Sequence, residues 1–481
     1  MPTLHRAPWR RTKIVCTLGP ACADAKVLER MIHAGMDVAR LNFSHGNYDS
    51  HAQLLRALRA AASRAGRTVG VLQDLCGPKI RVGEFSGGFI EIHAQQEVLF
   101  TAGSGKAHAP VGALPVEYAG LARDVKPGDR ILFDDGALEA RVRSTSRGLV
   151  RVRFTRGGRL KSRKGMNLPG VKVSSPSVTP KDLRDLEWGL AHGVDFVALS
   201  FVRGPEDLEK VRSRLTREAS PPLLISKIEK PEAVERLEEI VRASDGVMVA
   251  RGDLGVELDF EKVPMIQKRL IRLANERDIP AITATQMLES MTQSPRPTRA
   301  EVSDVSNAIL DGSDAVMLSG ETASGQYPVE AVTAMSAIAV EAERYLLEEH
   351  RAYAAPLRET PAAGLHDALA LGVERIARSL EVHAIVIATR SGETARYLAS
   401  SRPRVPVLGL SPHPRALRRM ALFWGITPIP CRTYRRPAEL IRQAEQVALQ
   451  QGLIQPGQTL IVAVGREAPG SFSGRIHLQQ L

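Results

Sequence analysis

From Arg11 to about Ile80, short apolar runs alternate with stretches of helical periodicity: Thr12–Leu18, Ala25–Ala34, Asp37–Phe43, Asp49–Ser63 and Thr68–Asp74. Short apolar runs separated by amphipathic segments predict a βαβαβ order and hence a parallel sheet. The rhythm breaks at Val82. From there to about Gly170 the chain reads as short β-like runs punctuated by Gly87-Gly88, Pro127-Gly128-Asp129, Asp134-Asp135-Gly136 and Gly157-Gly158, which predicts a small all-β insert. After Thr179 the alternation resumes, with strands expected at Phe196–Phe201, Leu223–Ile228, Gly246–Ala250, Pro280–Thr285 and Ala315–Ser319.

With the first three, these make eight strands. Eight parallel strands over about 250 residues predict a closed (β/α)8 TIM barrel. The insert then leaves the loop after the third strand, on the C-terminal face where barrel active sites lie, and can act as a lid. A linker expected near Arg351–Pro361 leads to a last region with alternating elements from His366–Leu380 to Arg475–Leu478, read as a separate open α/β domain. The expected organisation is barrel over 1–82 and 171–350, β-rich lid over 83–170, and C-terminal α/β regulatory domain over 356–481.

Composition changes this picture in three places. The 481 residues are 43% hydrophobic and 25% charged, the balance of a globular protein. Aromatics are only 4%, which argues against a base-stacking surface, so no nucleic-acid partner is expected despite a formal net charge of +12. That charge is spread over Arg10-Arg11, Arg151 to Lys164, Arg402 to Arg419 and Arg432 to Arg436, as solvated faces or phosphate pockets. No run approaches the ~18 apolar residues of a membrane span, and Met1 to Arg6 has no apolar signal core, so a cytoplasmic protein without a membrane partner is expected. Cys16, Cys22, Cys76 and Cys431 are scattered without a C-x-x-C pair, which argues against disulfides and zinc.

Chemistry concentrates at the expected strand ends. In Ala39-Arg40-Leu41-Asn42-Phe43-Ser44-His45-Gly46, period two puts Arg40, Asn42 and Ser44 on one face and Leu41 and Phe43 on the other. Strand three ends in Asp74 and runs on to Lys79 and Arg81. Strand five ends Ser226-Lys227-Ile228-Glu229, with Lys227 and Glu229 co-facial, and strand six ends Ala250-Arg251-Gly252-Asp253. Glu229 and Asp253, on adjacent strands, can hold a divalent cation through oxygen, as suits Mg²⁺. In strand seven, Thr283 and Thr285 are expected to share a face. No Ser/His/Asp triad, Cys/His pair or P-loop is present. A site dense in Arg, Lys and carboxylates suits phosphoryl transfer, where positioning and electrostatics do most of the work.

These residues resemble the pyruvate kinase family. The motifs are Arg-Leu-Asn-Phe-Ser-His-Gly (40–46), Gly-Pro-Lys-Ile-Arg (77–81), Lys-Gly-Met-Asn-Leu-Pro-Gly (164–170), Ser-Lys-Ile-Glu (226–229), Ala-Arg-Gly-Asp-Leu-Gly (250–255), Ala-Thr-Gln-Met-Leu-Glu-Ser-Met (284–291), Pro-Arg-Pro-Thr-Arg-Ala-Glu (295–301) and Ser-Gly-Glu-Thr-Ala-Ser-Gly-Gln-Tyr-Pro (319–328), in the family's order. The resemblance implies phosphoryl transfer from phosphoenolpyruvate to ADP, giving pyruvate and ATP in the last step of glycolysis.

It further implies Lys227 as the residue stabilising the transferring group and the enolate oxygen, with Arg40, Thr285 and Arg81 also in the catalytic set. Glu229 and Asp253 would bind Mg²⁺ or Mn²⁺. Arg40, Lys227, Gly252, Asp253 and Thr285 would hold the substrate phosphate and carboxylate. Asn42, Ser44, His45, Arg81 and the lid residue Lys164 would meet the nucleotide, with Thr285 near the route of enolpyruvate protonation. A homotetramer is implied as well.

One departure stands out. Many family members carry Asp-Thr-Lys-Gly-Pro-Glu-Ile-Arg where this chain has Asp74-Leu75-Cys76-Gly77-Pro78-Lys79-Ile80-Arg81. The glutamate type needs K⁺, which here would be bound by Asn42, Ser44, Asp74 and the Leu75 carbonyl. The Lys79 ammonium can supply that charge instead, so K⁺-independent catalysis is expected, with a solvent-facing Lys79 and a bound K⁺ as the alternative.

In the last region, Thr389-Arg390-Ser391-Gly392-Glu393-Thr394 reads as a strand-to-helix loop. It is either a capped helix start or an anion site. The resemblance favours an effector-phosphate pocket of Thr389, Arg390, Ser391, Gly392 and Thr394 for a phosphorylated allosteric metabolite. Two other functions use parts of the same set: a Mg²⁺-dependent enolate lyase or aldolase, which has no use for a lid lysine or for Arg40 with Arg81, and a non-catalytic sugar-phosphate sensor, which has no use for Lys227.

Overall fold

The computed structural model describes residues 9–103, 112–146, 148–216, 218, 220–348, 364–434, 436–465 and 474–481. The expected linker at 351–361 lies outside them. Eight parallel strands close into a barrel: β1 (Lys13–Thr17), β2 (Val38–Asn42), β3 (Gly70–Asp74), β4 (Phe196–Leu199), β5 (Leu223–Ile228), β6 (Gly246–Ala250), β7 (Ala281–Ala284) and β8 (Ala315–Leu318). Their near-continuous apolar text reflects burial on both sides. Val15, Leu72, Ile225, Met248, Ile282 and Met317 fill the interior, while Leu41, Val71, Leu199, Leu224, Val249 and Leu318 pack outward on the helices.

Five strands end one or two residues before their apolar pattern does, and in two of them the backbone gives the reason. Phe201 (φ 56°) and Thr285 (φ 67°) both take left-handed conformations, which end the extended run just past β4 and β7. For an aromatic or β-branched residue that conformation is unfavourable and marks a held site. Two of the helices start on capping boxes: Thr179 closes one with Asp182 ahead of Pro180–Ala191, and Thr298 does so with Glu301 ahead of Arg299–Leu310.

Between β3 and the helix leading to β4, the chain builds a six-stranded sheet, ordered Met166–Asn167, Arg130–Phe133, Leu138–Ser146, Leu149–Arg156, Glu97–Ala102 and Leu114–Val116, plus the pair Phe89–Ile92 and Gly158–Lys161. Phe100, Phe133 and Phe154 stack at its core.

The C-terminal region forms a second open α/β sheet of β9 (Ala384–Ala388), β10 (Val407–Ser411), β11 (Ile426–Pro430), β12 (Thr459–Val464) and β13 (Arg475–Gln480), ordered β11-β10-β9-β12-β13 with only β13 antiparallel. It covers the N-terminal mouth of the barrel. Arg418 pairs with Asp195 at 2.8 Å, Arg402 with Asp314 at 3.0 Å, and Lys13 donates to the Ile426 carbonyl at 2.7 Å. Leu417, Met420 and Phe423 join the barrel interior in one apolar cluster. The opposite mouth is left to the lid.

Candidate active site

At the C-terminal mouth, Lys227 on β5 is buried among carboxylates. Its ammonium lies 2.7 Å from Glu229 and 3.3 Å from Asp74, and it donates to the Ser200 hydroxyl at 2.8 Å. Ser200 in turn donates to the Leu75 carbonyl at 2.6 Å. Burial opposes the charge on Lys227, but Asp74, Glu229 and Asp253 outweigh it and hold its pKa above the ordinary value, so it is an ammonium at any working pH.

Arg40 on β2 grips Asp74 through two nitrogens at 2.7 Å and donates to Thr17 on β1 at 2.9 Å. Burial pushes the Asp74 carboxyl up, Lys227 and Arg40 pull it down further, and it ends below its usual range. Glu229 goes the other way. Burial, with the negative charge of Asp253 added, raises it despite Lys227, while the Phe201 amide donates to its second oxygen at 2.8 Å.

Asp253 sits in the first turn of the helix Arg251–Glu257 that follows β6. At its start the Gly252 amide donates to the Thr285 hydroxyl at 2.7 Å. This corrects the expected pairing of Thr283 with Thr285. Thr283 turns outward to Ser313 at 2.7 Å, and the left-handed turn at Thr285 and Gln286 brings the Thr285 hydroxyl back to the mouth. Arg251 fixes that turn by donating to the Thr285 carbonyl at 2.8 Å while pairing with Asp304 at 2.7 Å.

Arg40, Asp74, Lys227 and Glu229 thus form one contact network, with Asp253 acting on Lys227 and Glu229 through its charge and Gly252 and Thr285 paired beside it. Among the described residues no three His, Cys, Asp or Glu side chains are grouped to hold a metal; Glu229 and Asp253 make a pair of carboxylates. Of the residues expected to meet the nucleotide, Asn42 accepts the Ser44 amide at 3.1 Å. Arg81 donates to the Arg163 carbonyl at 3.0 Å. His45 is held below its usual pKa by partial burial and by the charges of Arg81, Lys79 and Arg40. Lys164 pairs with Asp134 inside the lid at 2.7 Å. Lys79 lies along the hinge, where a Cβ built on Gly165 would stand 3.4 Å from its Cε.

In the C-terminal domain the expected effector loop satisfies its own amides. Gly392 donates to the Thr389 hydroxyl at 3.0 Å, and Glu393 to that of Ser391 at 3.3 Å. Thr394 is buried against His366 at 2.7 Å; Arg390 is exposed.

Residues 9–332 match the model of the pyruvate kinase barrel domain, and residues 367–473 that of the pyruvate kinase alpha/beta domain. The chain belongs to the pyruvate kinase family. It is similar to the pyruvate kinases of Staphylococcus saprophyticus (43% identical over 475 residues, covering 98% of this chain and 80% of that one) and of Geobacillus stearothermophilus (42% over 475 residues, 98% and 80%). That of Staphylococcus aureus MRSA252 is 42% identical over 474 residues, again 98% and 80%. As a pyruvate kinase the chain is a phosphotransferase whose substrates are phosphoenolpyruvate and ADP. Among its described residues no helix is long and apolar enough to cross a membrane.

Four contributors had escaped the strand-end reading: Thr17, Ser200, Phe201 and Arg251. Thr17 and Ser200 fall on the inward alternation of β1 and just past β4, so period two could have found them. Phe201 and Arg251 act through backbone conformation and backbone carbonyls, which leave no such signal.

Proposed function

We propose that this pyruvate kinase transfers the phosphoryl group with Lys227 at the centre of the chemistry. The supporting observation is a buried ammonium 2.7 Å from Glu229 and 3.3 Å from Asp74, at the mouth that also holds Gly252, Asp253 and Thr285. Two buried cations, Arg40 and Lys227, face three carboxylates, Asp74, Glu229 and Asp253. This oxygen donor set fits a divalent cation, so Glu229 and Asp253 would hold Mg²⁺ or Mn²⁺. Such an ion supplies charge neutralisation for the transferring group when bound.

The chain's own residues do the rest. Arg40 and Lys227 bind the phosphate of phosphoenolpyruvate, and Lys227 remains to stabilise the enolate oxygen that develops as the phosphoryl group departs. Its raised pKa keeps the ammonium available throughout. The Gly252 amide and the Thr285 hydroxyl, now bonded to one another, turn to the substrate carboxylate, and Thr285 lies on the route by which the enolate carbon is protonated. Asn42, Ser44, His45 and Arg81 meet ADP, and Lys164 exchanges its Asp134 partner for the nucleotide phosphates.

Catalysis proceeds without K⁺. Among the groups that would bind that ion, Asp74 is engaged by Arg40 and Lys227, the Leu75 carbonyl by Ser200 and the Asn42 side chain by the Ser44 amide, and the charge of Lys79 reaches the neighbouring His45. A phosphorylated effector at Thr389, Arg390, Ser391, Gly392 and Thr394 displaces the internal hydroxyl contacts of that loop. Phe260 (82% exposed) and Met265 (61%) on the barrel flank support assembly into a homotetramer that covers them. The enzyme acts in the cytoplasm. A lactate-dehydrogenase-coupled assay tests the reading: ADP-dependent pyruvate formation is expected with tetramethylammonium as sole monovalent counter-ion, and an absolute K⁺ requirement overturns the Lys79 assignment.

A further inference from the structure

We propose that Glu257 is a positioning residue that couples the lid to the metal carboxylates. It closes the seven-residue helix that opens with Gly252 and Asp253, and it is 5% exposed. Its Oε1 accepts two donors from two other parts of the chain: the Lys230 ammonium at 2.7 Å and the Asn167 side-chain amide at 3.0 Å. Lys230 follows directly on Glu229. Asn167 lies in the lid strand Met166–Asn167, three residues from Lys164. One oxygen therefore joins the helix of Asp253, the chain end of Glu229 and the lid.

The coupling extends inward. The Lys230 ammonium stands over the Phe201 ring, 5.4 Å from its centre. Phe201 has the unfavourable φ of 56°, and its amide donates to Glu229 Oε2 at 2.8 Å. A residue in that conformation persists only when its surroundings hold it. Glu257 fixes the cation that sits on the ring, and the ring's own backbone orients the carboxylate. A cavity of about 40 Å³, lined by Lys79, Asn167, Phe201, Lys230 and Glu257 among others, opens at this junction. Glu257 carries two of the polar contacts at this junction.

This inference rests on Glu229 and Asp253 as metal ligands, so its test separates the two. Mn²⁺ binding to the substrate-free full-length enzyme is measured by electron paramagnetic resonance for wild type, Glu257→Ala, Glu257→Gln, Asn167→Ala and Glu229→Gln, alongside kcat, KM for ADP and thermal midpoint. Outer-shell partners of metal ligands alter affinity by about 10–100-fold. Glu257→Ala is expected to weaken Mn²⁺ at least tenfold and to raise KM for ADP. Glu257→Gln, which keeps an acceptor for Asn167 but not the charge for Lys230, restores KM for ADP without restoring Mn²⁺ affinity. Asn167→Ala raises KM for ADP alone. Wild-type Mn²⁺ affinity and KM in both Glu257 variants overturns the proposal. If Glu257→Ala does not fold, Glu257→Gln decides: weakened Mn²⁺ at an unchanged midpoint supports it, and unchanged Mn²⁺ overturns it. Should Glu229→Gln bind Mn²⁺ like wild type, the metal assignment itself fails, and the positioning role falls with it.

Discussion

The two mouths of the barrel treat buried charge in opposite ways. At the N-terminal mouth each acid at a strand start has a backbone amide to accept and an arginine to face. Asp37 takes the Ile14 amide and Arg10, Asp195 the Val71 amide and Arg418, and Asp314 the Ala281 amide and Arg402. At the C-terminal mouth Lys227 is shared among Asp74, Glu229 and Asp253, and a carboxylate is left over. Matched pairs close a surface; an unmatched acid leaves charge that the fold itself does not balance. A chain that folds one barrel thus separates stability from reactivity by the end at which charges are left unbalanced.

The largest effect expected from disturbing this contrast is on turnover. Lys227→Met removes the shared cation and should lower kcat of the folded enzyme by about 10³-fold, the scale for deleting a preorganised charge at a developing oxyanion, beyond the stability lost with its buried pairs to Asp74 and Glu229. A thermal collapse in place of a kinetic one would give the C-terminal mouth the structural role assigned to the other end. Next is Arg418→Ala, which leaves the fully buried Asp195 only the longer contact to Arg59 at 3.7 Å and should cost about 3 kcal/mol of stability in denaturant titration, with kcat of the folded enzyme preserved. The sign with pH follows from Asp195. Burial, only partly offset by Arg418 and Arg59, raises its pKa, so its ionisation works against folding and stability falls as pH rises through the ordinary carboxylate range. The Arg418→Ala deficit should therefore shrink as pH drops towards 4, where the stranded acid is neutral; a deficit constant from pH 7 to 4 would refute the pairing.

A smaller effect is expected of Arg251→Lys, which keeps the charge but loses the forked grip on the Thr285 carbonyl. KM for phosphoenolpyruvate should rise about tenfold, on the order of 1.4 kcal/mol, with KM for ADP unchanged. Smallest is Lys79→Glu. Replacing a nearby cation by an anion should raise the pKa of His45 in a proton NMR titration, and an unmoved His45 would separate Lys79 from the nucleotide side.

Much of this was legible in advance because barrels advertise themselves. The eight strands follow from apolar runs buried on both faces, and Lys227 with Glu229 follows from period two at the end of β5. The expected shared face of Thr283 and Thr285 failed where that period failed: alternation sends both outward, and a left-handed turn returns the Thr285 hydroxyl to Gly252, beside which it was expected. Glu257 was invisible for a different cause. Its partners, Asn167 and Lys230, are brought to it by tertiary closure. Nor does a sequence reveal that Lys164 is held by Asp134.

A Cβ on residue 165 would meet the Lys79 Cε at 3.4 Å, ordinary van der Waals contact. An alanine there would therefore rest on the lysine stem without expelling it, so the lid and the segment after the third barrel strand touch at this point with slack to spare.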